Sequence, residues 1–280
     1  MVKIFRTARA AAFAACLVLL SACSNDLLGL FSANDLDVRL EARDSFVFLS
    51  HEDRNPSFGD EFTFIALADT HILNGNAHGF ERLAQAVSRH NADFVVLLGD
   101  ITQNGARGDI QRFIDIANSV PVPVYPVIGN HDIYFNNWSA WRDMIGSTRY
   151  RVDSRRADGS IAATFFVLDS ANAFFGRSQL DWLERELASA GGRVFVFSHI
   201  NVFSDSGISH VQFIDARERA RLVSILRGRS QMMMSGHAHR YFVTNAGGVS
   251  FVTLEDFRSN RTFAVVSVTN SGVTHSIDSL

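Results

Sequence analysis

The sequence predicts an α/β protein, a layered sandwich of sheets flanked by helices, and three features of the chain carry that expectation. Short apolar runs recur from Phe62 onward, each followed by a polar loop and a helical stretch. The runs are rich in β-branched and aromatic residues, as buried strands are. After Tyr241 the pattern turns to short strands separated by Gly and Asn turns, which reads as antiparallel sheet.

In chain order, strands are expected at 62–68, 94–98, 122–128, 163–168, 194–197 and 231–234, with helices over 79–90, 106–118, 137–145, 178–189 and 212–227. The clearest helix puts Leu180, Leu183 and Leu187 on one face, with Ser178 as its expected N-cap. Residues 59–280 form the main domain in this reading. Residues 23–58 read as a tether with some order in it: an apolar patch at Leu27 to Phe31, a strand at 46–49, and a turn at Asn55-Pro56-Ser57. There is no internal repeat and no low-complexity tract.

The chain has 280 residues, 47% hydrophobic and 20% charged, enough for a sizeable core in one domain or at most two. Lys3, Arg6 and Arg9 precede an apolar run from Ala10 to about Leu20, too short to span a bilayer comfortably and suited to an export signal. The run ends in Leu20-Ser21-Ala22-Cys23, which resembles the lipobox of bacterial lipoproteins. That resemblance implies a signal over 1–22, lipid on Cys23, and anchorage on the periplasmic or cell-surface side, at the outer membrane in a Gram-negative host. The alternative is a plain signal peptide. Only Cys16 and Cys23 exist, so the mature chain has no disulfide framework. Cleavage removes three cations and takes the formal charge of −3 to about −6, which leaves no basic field for a long nucleic acid.

Metal-binding residue types follow the expected strands. Asp69 and His71 follow the first, Asp100 the second and Gly129-Asn130-His131-Asp132 the third. Ser198-His199 and Gly236-His237-Ala238-His239 follow two later ones. Ligand sites of α/β sheets form outside the carboxyl ends of strands, so these loops deliver carboxylates, an amide and imidazoles to one region. Such donors suit divalent Mn, Fe or Zn, and one carboxylate can bridge two ions that clamp a displacement at phosphorus. A glycine before Asp100, Asn130 and His237 permits a tight turn at each strand end.

The order Asp-x-His, Gly-Asp, Gly-Asn-His-Asp, His, Gly-His-x-His resembles the signature of the calcineurin-like metallophosphoesterases. It covers most of the mature chain, and all five blocks are present. The resemblance implies an α-β-β-α sandwich of two mixed sheets and a two-metal hydrolase of phosphate esters. Asp69, His71 and His239 would bind one metal, Asn130, His199 and His237 the other, with Asp100 bridging. His131 would bind a phosphoryl oxygen or protonate the leaving group, and Asp132 would orient His131. The blocks look closest to the cyclic-nucleotide phosphodiesterase-like branch, which implies a small phosphate-ester substrate; oligomeric state stays open. A phosphomonoesterase and a non-catalytic binding or scaffold protein are the other readings, and the acidic mature charge argues against a nuclease for long chains. Two positions depart from the family: no proline follows His199 closely, and Gln103 stands where purple acid phosphatases place a metal-binding tyrosine.

The remaining histidines, His51, His78, His90, His210 and His275, sit outside the blocks; His90 ends a helix, and His78 and His210 could edge the site. Asn74, Asn76 and Asn104 read as turn residues, Met232-Met233-Met234 as buried strand, and most of the 24 phenylalanines as core.

Overall fold

Phe62, Phe64 and Ala66 alternate along the first strand with Ile65 and Leu67, and the two sets enter different cores. That alternation places the strand between two apolar layers. The structure, a computed structural model, describes residues 36–42, 45–204 and 214–280. Its elements are α1 (Leu36–Glu41), α2 (His51–Arg54), β1 (Phe62–Leu67), α3 (Leu83–His90), β2 (Phe94–Leu98), α4 (Arg107–Asn118), β3 (Val124–Val127), α5 (Trp138–Met144), β4 (Tyr150–Arg155), β5 (Ile161–Val167), α6 (Arg177–Leu187), β6 (Arg193–Phe197), α7 (Ala216–Leu226), β7 (Met232–Ser235), β8 (Phe242–Ala246), β9 (Val249–Thr253), α8 (Phe257–Asn260), β10 (Thr262–Thr269) and β11 (Gly272–Ser279).

One sheet has the order β11-β10-β1-β2-β3 and the other β4-β5-β6-β7-β9-β8. Both are mixed. β1, β2 and β3 run parallel, as do β5, β6, β7 and β9, while β4, β8, β10 and β11 pair antiparallel. Phenylalanines fill the space between the sheets: Phe64 stacks on Phe94 at 4.7 Å, and Phe94 meets Phe165 edge-on at 4.9 Å. Outside the first sheet, Leu83 and Val87 of α3, Phe113 of α4 and Trp141 of α5 cover Ile65, Val95 and Leu97. Outside the second, Leu180, Leu183 and Leu187 of α6 and Leu222 of α7 cover Phe166, Val196 and Met233. The expected α-β-β-α sandwich is the fold, and its interior strands are apolar on both faces.

Several local expectations need correcting. Residues 46–49 form no strand; Phe46 makes a single bridge to Gly146, and Phe48 and Leu49 pack into the core. β4 went unread because Arg151, Asp153 and Arg155 alternate with its buried residues on a sheet edge. Ser178 is not the cap of α6, which starts at Arg177 after Gly176. The amides of Phe175 and Gly176 donate instead to the carboxylate of Glu218 on α7, at 2.8 and 2.9 Å. The signal region, Cys16, Cys23 and the Leu27 to Phe31 patch lie outside the described residues. Among the described residues, no helix is long and apolar enough to cross a membrane.

The segment read as a tether holds to the domain at a charged point. Arg39 of α1 donates to both carboxylate oxygens of Asp169, from Nε at 2.7 Å and from Nη2 at 2.8 Å, with both side chains 0% exposed. Removing one member of such a pair leaves an uncompensated buried charge, whereas replacing both with apolar groups is far less costly. Arg39→Ala is therefore expected to lose about 3–5 kcal/mol of stability, read from its urea midpoint, and Arg39→Met with Asp169→Leu to lose much less. Equal losses in the two proteins would show that the pair's charge is not what matters.

Candidate metal centre

The loops after β1, β2, β3, β6, β7 and β9 converge at one rim, and backbone contacts stitch them together. The amide of Asp69 donates to the carbonyl of Gly99 (3.1 Å) and that of His71 to Asp100 (2.9 Å). Those of Gly236 and Arg258 donate to His199 (3.0 Å) and Asp69 (3.1 Å). Asp69, His71, Asp100, His237 and His239 all have positive φ, between 46° and 68°. Non-glycine residues pay conformational energy there, and such positions concentrate at functional sites.

The rim brings the sequence-predicted residues together. Asp69 Oδ1 lies 3.7 Å from His71 Nε2 and 3.3 Å from His239 Nε2, and those two nitrogens are 3.5 Å apart. Asp100 faces both ways: Oδ2 is 3.8 Å from His71 Nε2, and Oδ1 is 3.3 Å from His199 Nε2. Asn130 Oδ1 is 3.0 Å from His199 Nε2, while its amide nitrogen donates to Tyr134 Oη at 2.8 Å, which keeps the oxygen turned inward. The His199 and His237 rings lie 5.0 Å apart. His199 Nδ1 meets the carbonyl of Leu98 at 2.8 Å, the contact that frees Nε2 as a donor to a cation.

The donor set fits divalent cations. Asp69, His71 and His239 each present one ligand atom within a span of 4.8 Å, and so do Asp100, His199 and His237. Asp69 Oδ1 is buried with no hydrogen-bond donor among the described residues. Burial foremost pushes His71 down to about 4, so its ring is neutral near pH 7 and can offer a nitrogen lone pair to a cation. A cation placed among these atoms would satisfy the carboxylate and the imidazole nitrogens together.

The electrostatics centre on Asp100. Burial would raise both buried acids, yet His199 and His131 hold Asp100 well below the usual carboxylate range, and His239 and His199 hold Asp69 below it. Burial likewise opposes charge on His199, but Asp100 outweighs it and carries that imidazole up to about 9. Asp132 is pushed up to about 6, by burial first and by Asp100 second, against the amide donors of Thr102 and Gly129.

Asp132 does not take the orienting place expected of it. Its carboxylate accepts from the amides of Ile101 (3.2 Å), Thr102 (2.8 Å) and Gly129 (2.9 Å) and from the Thr102 hydroxyl (2.9 Å), and so it clamps the second block to the third. The Nδ1 of His131 lies instead 2.8 Å from the carbonyl of Gln103, with Nε2 3.8 Å from Asp100 Oδ2. Sequence reading missed Gln103 in this role, and it missed Arg258, whose Nη1 donates to Gln103 Oε1 at 2.9 Å. The signal for Arg258 was its place just past β9, whose carboxyl end opens on the same rim. Asn76 and Asn104 accept from nearby amides as turn residues, and His90 and His275 contact Asp278 and Tyr241 away from the rim. His210 lies outside the described residues.

Only one of the three glycines before the blocks is needed for a turn. Gly99 has φ 87°, and a Cβ there would also sit 2.5 Å from the ring of His199. Gly129 and Gly236 are required for close approach: a Cβ on Gly129 would overlap the amide and Oδ1 of Asp100, and one on Gly236 would fall 2.5 Å from Asp69 Oδ2.

Fold and rim together define an α/β sandwich with side chains that fit metal binding gathered at its strand ends. The calcineurin-like phosphoesterase family matches residues 62–241, and the chain belongs to that family. It is 32% identical over 116 residues to a probable cyclic nucleotide phosphodiesterase of Fibrobacter succinogenes, spanning 40% of this chain and 43% of that protein. It is 21% identical over 171 residues to a probable cyclic nucleotide phosphodiesterase of Synechococcus sp., spanning 59% of this chain and 65% of that one. A dimetal phosphatase from Danio rerio shares the fold, with a TM-score of 0.60 at 17% identity over 78% of this chain and 98% of that chain.

Because Gly129 packs directly on Asp100, Gly129→Ala is expected to lose bound metal before it loses the fold. Metal analysis after Mn²⁺ loading should show a deficit while circular dichroism stays native; full metal content in the variant would contradict the packing described.

Proposed function

We propose that this protein is a two-metal-dependent hydrolase of phosphate esters, a phosphodiesterase acting on a small or nucleotide-like substrate outside the cytoplasm. The observation that carries the proposal is Asp100, whose two carboxylate oxygens face His71 of one cluster and His199 of the other. Asp69, His71 and His239 would hold one cation and Asn130, His199 and His237 the other, with Asp100 between them. When bound, such a pair supplies Lewis-acid polarisation at phosphorus and water of lowered pKa.

The chain's own groups supply the rest. Gln103 fixes the ring of His131, leaving Nε2 turned toward the centre with the side chain 14% exposed. From there His131 donates to a phosphoryl oxygen or passes a proton to the leaving oxygen. Asp132 and Thr102 keep the blocks of Asp100 and Asn130 in register. The two curated relatives support a diester substrate, and the acidic charge supports a small one. The basic leader and the Leu20-Ser21-Ala22-Cys23 run support export and lipid attachment at Cys23.

The test is hydrolysis of bis(p-nitrophenyl) phosphate by the full-length chain in detergent, loaded with Mn²⁺. Turnover is expected to require metal and to fall about a hundredfold or more in Asn130→Ala and His131→Ala. Two bound metals without turnover would defeat the diesterase reading, and no bound metal would defeat the enzyme. A second expectation follows from His199. A cation binds the neutral ring, and the metal-free ring stays protonated below about 9, so binding expels a proton. Mn²⁺ affinity measured calorimetrically should rise as pH goes from 6 to 9; a flat profile would show that the metal-free ring carries no proton for binding to expel.

A further inference from the structure

The loop after β9 brings to the rim a cation that none of the metal blocks contains. Arg258 is the second residue of α8, and its amide donates to the carbonyl of Asp69. That contact, with Phe257 N on the carbonyl of Ala68 at 2.9 Å, fixes the base of the side chain beside the first cluster. The guanidinium is half-buried and donates through Nη1 to Gln103 Oε1. The same glutamine touches His131 Nδ1 through its carbonyl and, at 3.1 Å, through Nε2. Arg258, Gln103 and His131 therefore form one connected row along the edge of the centre.

The charge of Arg258 is not consumed locally. Among the described residues no carboxylate pairs with it, and the neighbouring Asp256 is occupied by the Ser259 amide (3.0 Å) and Asn260 Nδ2 (3.1 Å). Arg261, on the next turn, adds a second guanidinium. A guanidinium has five donors in a planar fork suited to oxyanions, and Gln103 takes only one of its nitrogens.

We propose that Arg258 is a substrate-binding residue, held by Gln103 so that its fork engages the phosphoryl group, and that it favours phosphoryl groups of higher charge. The proposal rests on the phosphoesterase reading above. A phosphodiester carries one negative charge, whereas a phosphomonoester carries nearly two near neutral pH. Arg258 thus makes the centre competent toward monoesters, and it holds the monoester that diester cleavage leaves behind.

The experiment compares wild type, Arg258→Ala and Arg258→Lys as full-length chains loaded with Mn²⁺, with metal content and melting temperature measured for each. The substrates are p-nitrophenyl phosphate and bis(p-nitrophenyl) phosphate, and the probe is inorganic phosphate, followed by competitive inhibition and by calorimetry. Arg258→Ala is expected to weaken phosphate binding about tenfold or more and to lose at least tenfold more kcat/KM on the monoester than on the diester, with Lys recovering part of both. Metal content should stay at the wild-type value. Equal losses on both substrates, unchanged phosphate affinity, or a variant that no longer holds metal would each overturn the proposal. Absence of wild-type turnover would count against the phosphoesterase reading alone, because the calorimetric comparison of phosphate binding still decides the role of Arg258.

Discussion

Two carboxylates almost without access to water, Asp69 and Asp100, set the terms for the rest of the rim. An isolated buried carboxylate would normally neutralise itself by taking a proton. Here both are held in the charged form by imidazoles placed against them: His199 is buried, His131 is half-buried and His239 reaches the surface. The arrangement is self-consistent only if positive charge sits among these groups, whether as protons on His199 and His239 or as bound cations.

The fold delivers this arrangement through packing that lies far from it. Aromatic side chains between the sheets fix the strands rigidly, so the loops that leave their carboxyl ends start from fixed positions. The loops then approach so closely that their backbones bond to one another, and glycine is needed at 129 and 236 because there is no room for a further atom. Asp132 completes the frame by binding three amides across two loops. The same logic reaches the second sheet: Ser170 Oγ accepts from the amides of His199 and Ile200, one residue from the buried Asp169 that holds Arg39. The segment before the main domain is thereby connected to a residue of the centre through three side chains.

The interior strands and the residues at their ends were legible because each has an unambiguous local signature. A run such as 94–98 is apolar on every side, and polar metal-type residues directly after it stand out. β4 was not legible, because an edge strand with Arg151, Asp153 and Arg155 on one face resembles a loop. Phe46 to Leu49 misled in the other direction: Phe46, Phe48 and Leu49 pack as single anchors against the core while Val47 stays exposed, and the run forms only an isolated bridge. Within the site, residue types showed which side chains assemble but not which hydrogen bonds they make. Asp132 looked like a partner for its neighbour His131, and only the path of the backbone reveals that Gln103 has that place. Arg258 belongs to no repeated pattern, and its position becomes meaningful only once β9 is known to run parallel to β7.

The positive φ angles of Asp69, His71, Asp100, His237 and His239 set a conformational cost on the donor atoms these residues bring. In that backbone region aspartate and histidine are tolerated better than most side chains, yet only glycine sits there without cost. Glycine at any of the five would ease the backbone, and at 69 and 100 it would also remove a buried charge, but each such change would delete a donor atom from the rim. Backbone ease and donor chemistry therefore pull in opposite directions at the same five places.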